Sequence, residues 1–225
     1  MVAVQLREVV AVAAGFPVLA GVSLDVAEGE VVAVLGANGA GKTSLLRTIA
    51  GLVPLSAGRG IVLGVELGTS PGSLGGRVGL VGHAHGLYDE LSPLSNLRFI
   101  ARVARREQGS IAAALADVGI NDRVAGTPLQ RLSAGQRRRV ALAAVELRAP
   151  ELLLLDEPHA AFDAEGRTLI ARSIAQASAR GAAVVFTSHD PDLARPLADR
   201  VLTMAGGIVT EVAFGQRPKE AHDVA

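Results

Sequence analysis

The sequence predicts an α/β fold: a central parallel sheet, an antiparallel β layer at its edge, and a helical lobe inserted between core segments. Three observations carry this. Apolar runs at Val31–Leu35, Leu152–Leu155 and residues 183–187 each end at polar residues, as strands buried on both faces of a parallel sheet do. Residues 1–30 instead alternate, as Val2-Val4-Leu6 and Val22-Leu24-Val26 around Gly15-Phe16-Pro17, the pattern of antiparallel strands joined by turns. Between residues 88 and 149 the spacing turns helical, with Leu97, Ile100, Ala101 and Ala104 on one face and Ile111, Leu115 and Val118 on another.

A single domain spanning 1–225 is therefore expected. Its core comprises 1–87 and 150–215, its lobe 88–149, and 216–225 is a polar, aperiodic tail. Ala164–Ala179 reads as an amphipathic helix preceding the third core strand. At 49% hydrophobic the chain can bury a large core. Acidic and basic residues balance to a net charge of zero, so nucleic acid is not an expected partner. The absence of cysteine excludes disulfides, thiolate metal sites and a cysteine nucleophile. Apolar runs fall far short of the roughly 18 residues of a spanning helix, and the first residues lack the pattern of an export signal. A cytoplasmic location follows as the expectation.

The run from Gly36 through Ala37, Asn38, Gly39, Ala40 and Gly41 to Lys42 and Thr43 fits the G-x-x-x-x-G-K-[ST] loop, after an apolar strand and before a helix expected over 44–50. Glycines let backbone N–H groups turn around a phosphate, and the helix that opens at Ser44 adds its N-terminal partial charge. Lys42, one of only two lysines in the chain, is placed to hold the β- and γ-phosphates, and Thr43 to ligate Mg²⁺. The alternative is a glycine-rich turn that binds nothing.

Leu152–Leu155 delivers Asp156 and Glu157 to a strand end. Adjacent carboxylates there repel unless a cation sits near them. Asp156 suits the Mg²⁺ shell and Glu157 the role of general base toward a water; a helix cap made by Asp-Glu-Pro is the competing reading. Together the two motifs describe many P-loop NTPases, a resemblance that implies a core with a RecA-like parallel sheet.

Leu132-Ser133-Ala134-Gly135-Gln136 narrows this further, because it resembles the signature motif of the ABC transporter ATP-binding subunits, usually L-S-G-G-Q. Ser133 also reads as an ordinary helix cap. The resemblance covers nearly the whole chain. It implies an ABC-type helical lobe and an ATPase in which Ser133, Gly135 and Gln136 bind the γ-phosphate held by a partner's P-loop. Two subunits, identical or paired, would then sandwich two ATP molecules on an integral membrane permease subunit, leaving this chain peripheral to the membrane. It further implies a catalytic role for His189, a cross-dimer role for Asp163 in Ala160-Ala161-Phe162-Asp163, and a coupling surface near Tyr88 to Arg98. A non-transport ABC ATPase and a nucleotide-dependent scaffold are the alternatives.

Two departures modify the resemblance. His83 falls where the family carries a glutamine that reaches Mg²⁺, and imidazole is a poor ligand for that ion. Ala14 falls where a tyrosine usually stacks on adenine, with Phe16 the nearby aromatic, so weak base selectivity is expected. Gly82-His83, Gly86, Glu90-Leu91-Ser92 and Asn96-Leu97-Arg98-Phe99 are similar to the haem-exporter ATPases of cytochrome c maturation.

Overall fold

A computed structural model of the protein describes residues 1–13, 15–69, 72–82, 86–105, 110–159 and 164–212. Ala14, His83, Asp163 and the tail over 216–225, each singled out above, lie outside the described residues. β1 (Val2–Ala13) and β2 (Phe16–Ala27) pair antiparallel, and with β4 (Ala57–Val62) and β5 (Val65–Glu66) they form a four-stranded sheet ordered β2-β1-β4-β5. Its inward residues Val4, Leu6, Val22, Leu24 and Val26 are buried, as the alternation requires.

The second sheet has six strands. β3 (Val31–Leu35), β6 (Val78–Val81), β7 (Leu152–Leu155), β8 (Ala183–Ser188), β9 (Arg200–Ala205) and β10 (Ile208–Val212) stand in the order β10-β9-β3-β8-β7-β6. All neighbours are parallel except the β9–β10 hairpin. The apolar runs give only β3, β7 and β8; β6 is the strand that, by the family resemblance, leads to the glutamine position at His83. β9 and β10 escape the reading because a turn at Gly206-Gly207 joins them and threonines interrupt both.

This sheet divides the interior in two. Val31, Ala33 and Leu35 face one cluster, whereas Val32 and Val34 face the other, beside the antiparallel layer and α1 (Lys42–Ile49). The first cluster takes in α2 (Pro93–Val103), α3 (Ser110–Asp117), α4 (Asp122–Ala125) and α5 (Ala134–Glu146), the helical insertion between β6 and β7. α6 (Ala164–Ala179), with the bounds expected of it, packs there through Leu169, Ile170, Ile174 and Ala177. A short α7 (Pro191–Ala194) follows β8.

The insertion is anchored where α5 crosses β6. Gly79 sits so close to it that a methyl group there would lie 2.4 Å from Val145 Cγ1 and 2.9 Å from Pro150 Cγ. Val140 through Val145 are buried along this contact. Ser133 caps α5: its hydroxyl accepts from the Gln136 N–H at 3.2 Å, and Gln136 Oε1 accepts from the Ser133 N–H at 3.0 Å. That reciprocal pair is a capping box.

Candidate active site

The register of the parallel strands determines what meets at their carboxyl ends. Leu35 lies opposite Ser188, and Leu155 opposite Phe186. The residues that follow each strand therefore emerge side by side: Gly36 after β3, Asp156 and Glu157 after β7, His189 after β8. In open α/β sheets this edge is where ligands bind.

The loop over 36–41 turns there into α1, whose N-cap Gly41 adopts φ 106°. A side chain at Gly41 would meet Val18 O at 2.7 Å and Met204 Cε at 2.8 Å, so both backbone conformation and space demand glycine. Lys42 is 6% exposed. Its ammonium donates to Gly36 O at 2.6 Å and Ala37 O at 3.1 Å, and it lies 3.0 Å from Glu157 Oε1. The cation is thus shared between the loop's own carbonyls and the acid.

Asp156 is buried and fully engaged. Thr43 Oγ1 donates to its Oδ2 at 2.8 Å, and Thr187 Oγ1 donates to its Oδ1 at 2.9 Å. Hydroxyl and carboxylate oxygens 2.8 Å apart make the hard, oxygen-only donor set that Mg²⁺ takes from proteins. Among the described residues no cluster of three or more acidic, His or Cys side chains could hold a metal ion.

Glu157 has φ +47°, a left-handed backbone that costs a non-glycine residue about 1 kcal/mol or more. Its Oε2 lies 2.9 Å from His189 Nδ1, and its N–H donates to Thr187 Oγ1 at 2.9 Å. Burial by itself would raise the Glu157 carboxyl, but the Lys42 ammonium and His189 outweigh it and hold the group below the ordinary carboxylate range.

A cleft of about 520 Å³ opens on this constellation. One wall is the loop Ala37, Asn38, Gly39, Ala40, Gly41, Lys42, Thr43 and Ser44 with Glu157; the other is Pro17, Val18, Gly206 and Gly207. Among the described residues, the second wall offers neither an aromatic ring nor a charged group. Gly207 is already satisfied, with its carbonyl accepting from the Ala20 N–H at 2.9 Å and its N–H donating to Ala40 O at 3.0 Å. Ser133, Gly135 and Gln136 do not line the cleft.

A family profile described as ABC transporter matches residues 19–160. The chain belongs to the ABC transporter family. It is 40% identical over 210 residues to the sulfate/thiosulfate import ATP-binding protein CysA of Xylella fastidiosa, a match covering 88% of this chain and 59% of that protein. The chain therefore spans about three fifths of that relative's length. To the cytochrome c biogenesis ATP-binding export protein CcmA of Rhodopseudomonas palustris it is 42% identical over 177 residues, covering 79% of this chain and 86% of that one. The fold superposes on cbiO1 from Clostridium perfringens, part of the ABC transporter complex cbiONQ, with a TM-score of 0.77 at 28% identity, over 93% of this chain and 87% of that one. It also superposes on a dimeric ATP-binding cassette in a post-hydrolysis state with ADP and Pi, with a TM-score of 0.84 at 23% identity, over 94% of this chain and all of that one.

Within this ABC chain the structure brings together Gly36 through Ser44, Asp156, Glu157 and His189. It leaves Ser133, Gly135 and Gln136 at the exposed start of α5. Motif reading missed Thr187, which serves both carboxylate residues, and the apolar wall of Pro17, Val18, Gly206 and Gly207. The only signal for Thr187 is its place one residue beyond Phe186 in a strand paired with β7.

Proposed function

We propose that this chain binds and hydrolyses ATP and, as one of two cassette subunits, drives an ABC transporter through a membrane subunit. The observation that carries the reading lies at the carboxyl edge of the parallel sheet, where Lys42, Thr43 and Glu157 line one cleft, Asp156 is hydrogen-bonded to Thr43 and His189 to Glu157.

A triphosphate entering the loop takes over the backbone N–H groups at the start of α1 and draws Lys42 Nζ away from Glu157. Losing that cation moves the Glu157 carboxyl upward, toward the range in which it accepts a proton from an attacking water. His189 keeps its carboxylate aimed. Mg²⁺, held by Thr43 and Asp156, supplies neutralising charge on the phosphate oxygens when bound.

Ser133, exposed at the start of α5, and the half-buried Gly135 and Gln136 beside it are assigned to the phosphate of the opposite subunit, with two such sites per pair. Among the described residues no helix is long and apolar enough to cross a membrane, and the membrane subunit is assigned by the family reading. An apolar ridge on the lobe supports docking there: Tyr88 and Phe99 stand edge to face at 5.5 Å, beside exposed Leu91 and Val103. On this reading the subunit sits peripherally, on the cytoplasmic face of that membrane protein. The cargo is fixed by the membrane subunit, and relatives named for sulfate import and for cytochrome c biogenesis export match at similar identity.

Nucleotide titration and phosphate release from the purified chain test this. Glu157→Gln is expected to bind ATP at least as tightly as the unsubstituted chain, because Lys42 loses a competing anion, while turnover falls by about 10²-fold or more. Lys42→Ala is expected to lose binding. Turnover that survives Glu157→Gln removes the acid from its role.

A further inference from the structure

Arg138 stands on the second turn of α5, five residues past the cap at Ser133, and its side chain leaves the helical insertion to reach the core. Its Nη2 donates to the backbone carbonyl of Asp156 at 2.9 Å. The N–H of the same peptide unit, that of Glu157, donates to Thr187 Oγ1 on β8 at 2.9 Å. One peptide plane is therefore gripped at both ends, by the insertion on one side and by the sheet on the other.

That plane immediately precedes the strained φ of Glu157. A left-handed non-glycine residue persists only where its surroundings over-determine it. The side chain of Glu157 is tethered by Lys42 and His189, but a triphosphate competes for Lys42. The backbone grip, with the His189 contact, then survives nucleotide entry. Arg138 is half-buried, and burial pushes its guanidinium below the ordinary value while the Asp156 and Glu157 charges oppose that shift. A planar, fixed-charge donor suits a buried carbonyl beside two acids better than a flexible ammonium.

We infer that Arg138 is a positioning residue for hydrolysis: by holding the Asp156 carbonyl it fixes the Asp156–Glu157 peptide plane, and with it the aim of the Glu157 carboxylate. The same helix presents Ser133 and Gly135, so the orientation of that exposed turn is tied to the acid within one chain. A rotation of α5 away from the sheet withdraws the guanidinium and lets Glu157 relax out of line. The catalytic consequence rests on the reading of Glu157 as general base; the grip itself does not.

Two measurements on the full chain test the proposal separately from that reading. In steady-state hydrolysis, Arg138→Met is expected to lower kcat by about 10- to 100-fold, as misplacement of a catalytic group does, with KM for ATP little changed. Arg138→Lys is expected to recover part of the loss, and Arg138→Met added to Glu157→Gln to lower turnover little further. In hydrogen exchange, Arg138→Met is expected to accelerate the Glu157 amide while leaving β3 amides unchanged. An unchanged Glu157 amide overturns the proposal whatever the turnover. An unchanged kcat, or kcat lost together with a general acceleration of exchange, overturns it as well. Turnover that survives Glu157→Gln refutes the base reading alone, and the exchange result still decides whether Arg138 holds the plane.

Discussion

The single hydroxyl of Thr187 donates to Asp156 Oδ1 and accepts from the Glu157 N–H, so one buried oxygen sets both acids relative to β8. Thr187→Val keeps the shape and removes the hydroxyl. It leaves a buried carboxylate oxygen and a backbone N–H without that partner, which costs about 1–3 kcal/mol. Chemical unfolding is expected to show that loss, with turnover falling alongside, and Thr187→Ser is expected to restore most of both. Equal midpoints for the valine variant and the unsubstituted chain would refute the dual role. Lys42, Thr43, Asp156 and Glu157 are legible in the sequence because phosphate and metal chemistry demands residue types at short, fixed spacings. Thr187 and Arg138 are not, because their partners lie 31 and 18 residues away and neither type carries a local pattern.

Among the elements, the contact of α5 with β6 bears most directly on function, because it sets where Ser133 and Arg138 stand relative to the sheet. Gly79 has no room for a methyl group against Val145 and Pro150. Gly79→Ala should shift the helix or the strand and destabilise by about 1–3 kcal/mol through overpacking. A lower urea midpoint at unchanged slope would show it, and an unaltered midpoint would mean that the helix yields freely. Amphipathic spacing gives α6 its limits because one face alone is buried. The motif context starts α1 at Ser44, whereas the helix begins at Lys42, since the phosphate-loop turn itself supplies the first helical residues. β9 and β10 carry neither a clean alternation nor a continuous apolar run, because β9 is flanked by β3 on one side and the exposed hairpin partner on the other.

Across the whole molecule, the six-stranded sheet separates an insertion-side interior from one shared with the antiparallel layer, and the cleft spans the boundary: its catalytic wall rises from strand ends, its opposite wall from β2 and the β9–β10 turn. That second wall has consequences for the energy supply of the cell. Among the described residues, Pro17, Val18 and the Gly206-Gly207 turn present no aromatic ring to stack on and, at Gly207, no free hydrogen-bonding group to read a base edge. A stacked ring contributes roughly 1 kcal/mol, so its lack leaves discrimination among bases below about tenfold. GTP and CTP are therefore expected to be hydrolysed with kcat/KM within about tenfold of ATP; a preference for ATP beyond a hundredfold would show that a base-reading group has been overlooked. If the chain is the ATPase proposed, such a wall would let it draw on the combined pool of nucleoside triphosphates, and its stroke would continue when adenine nucleotides alone run low.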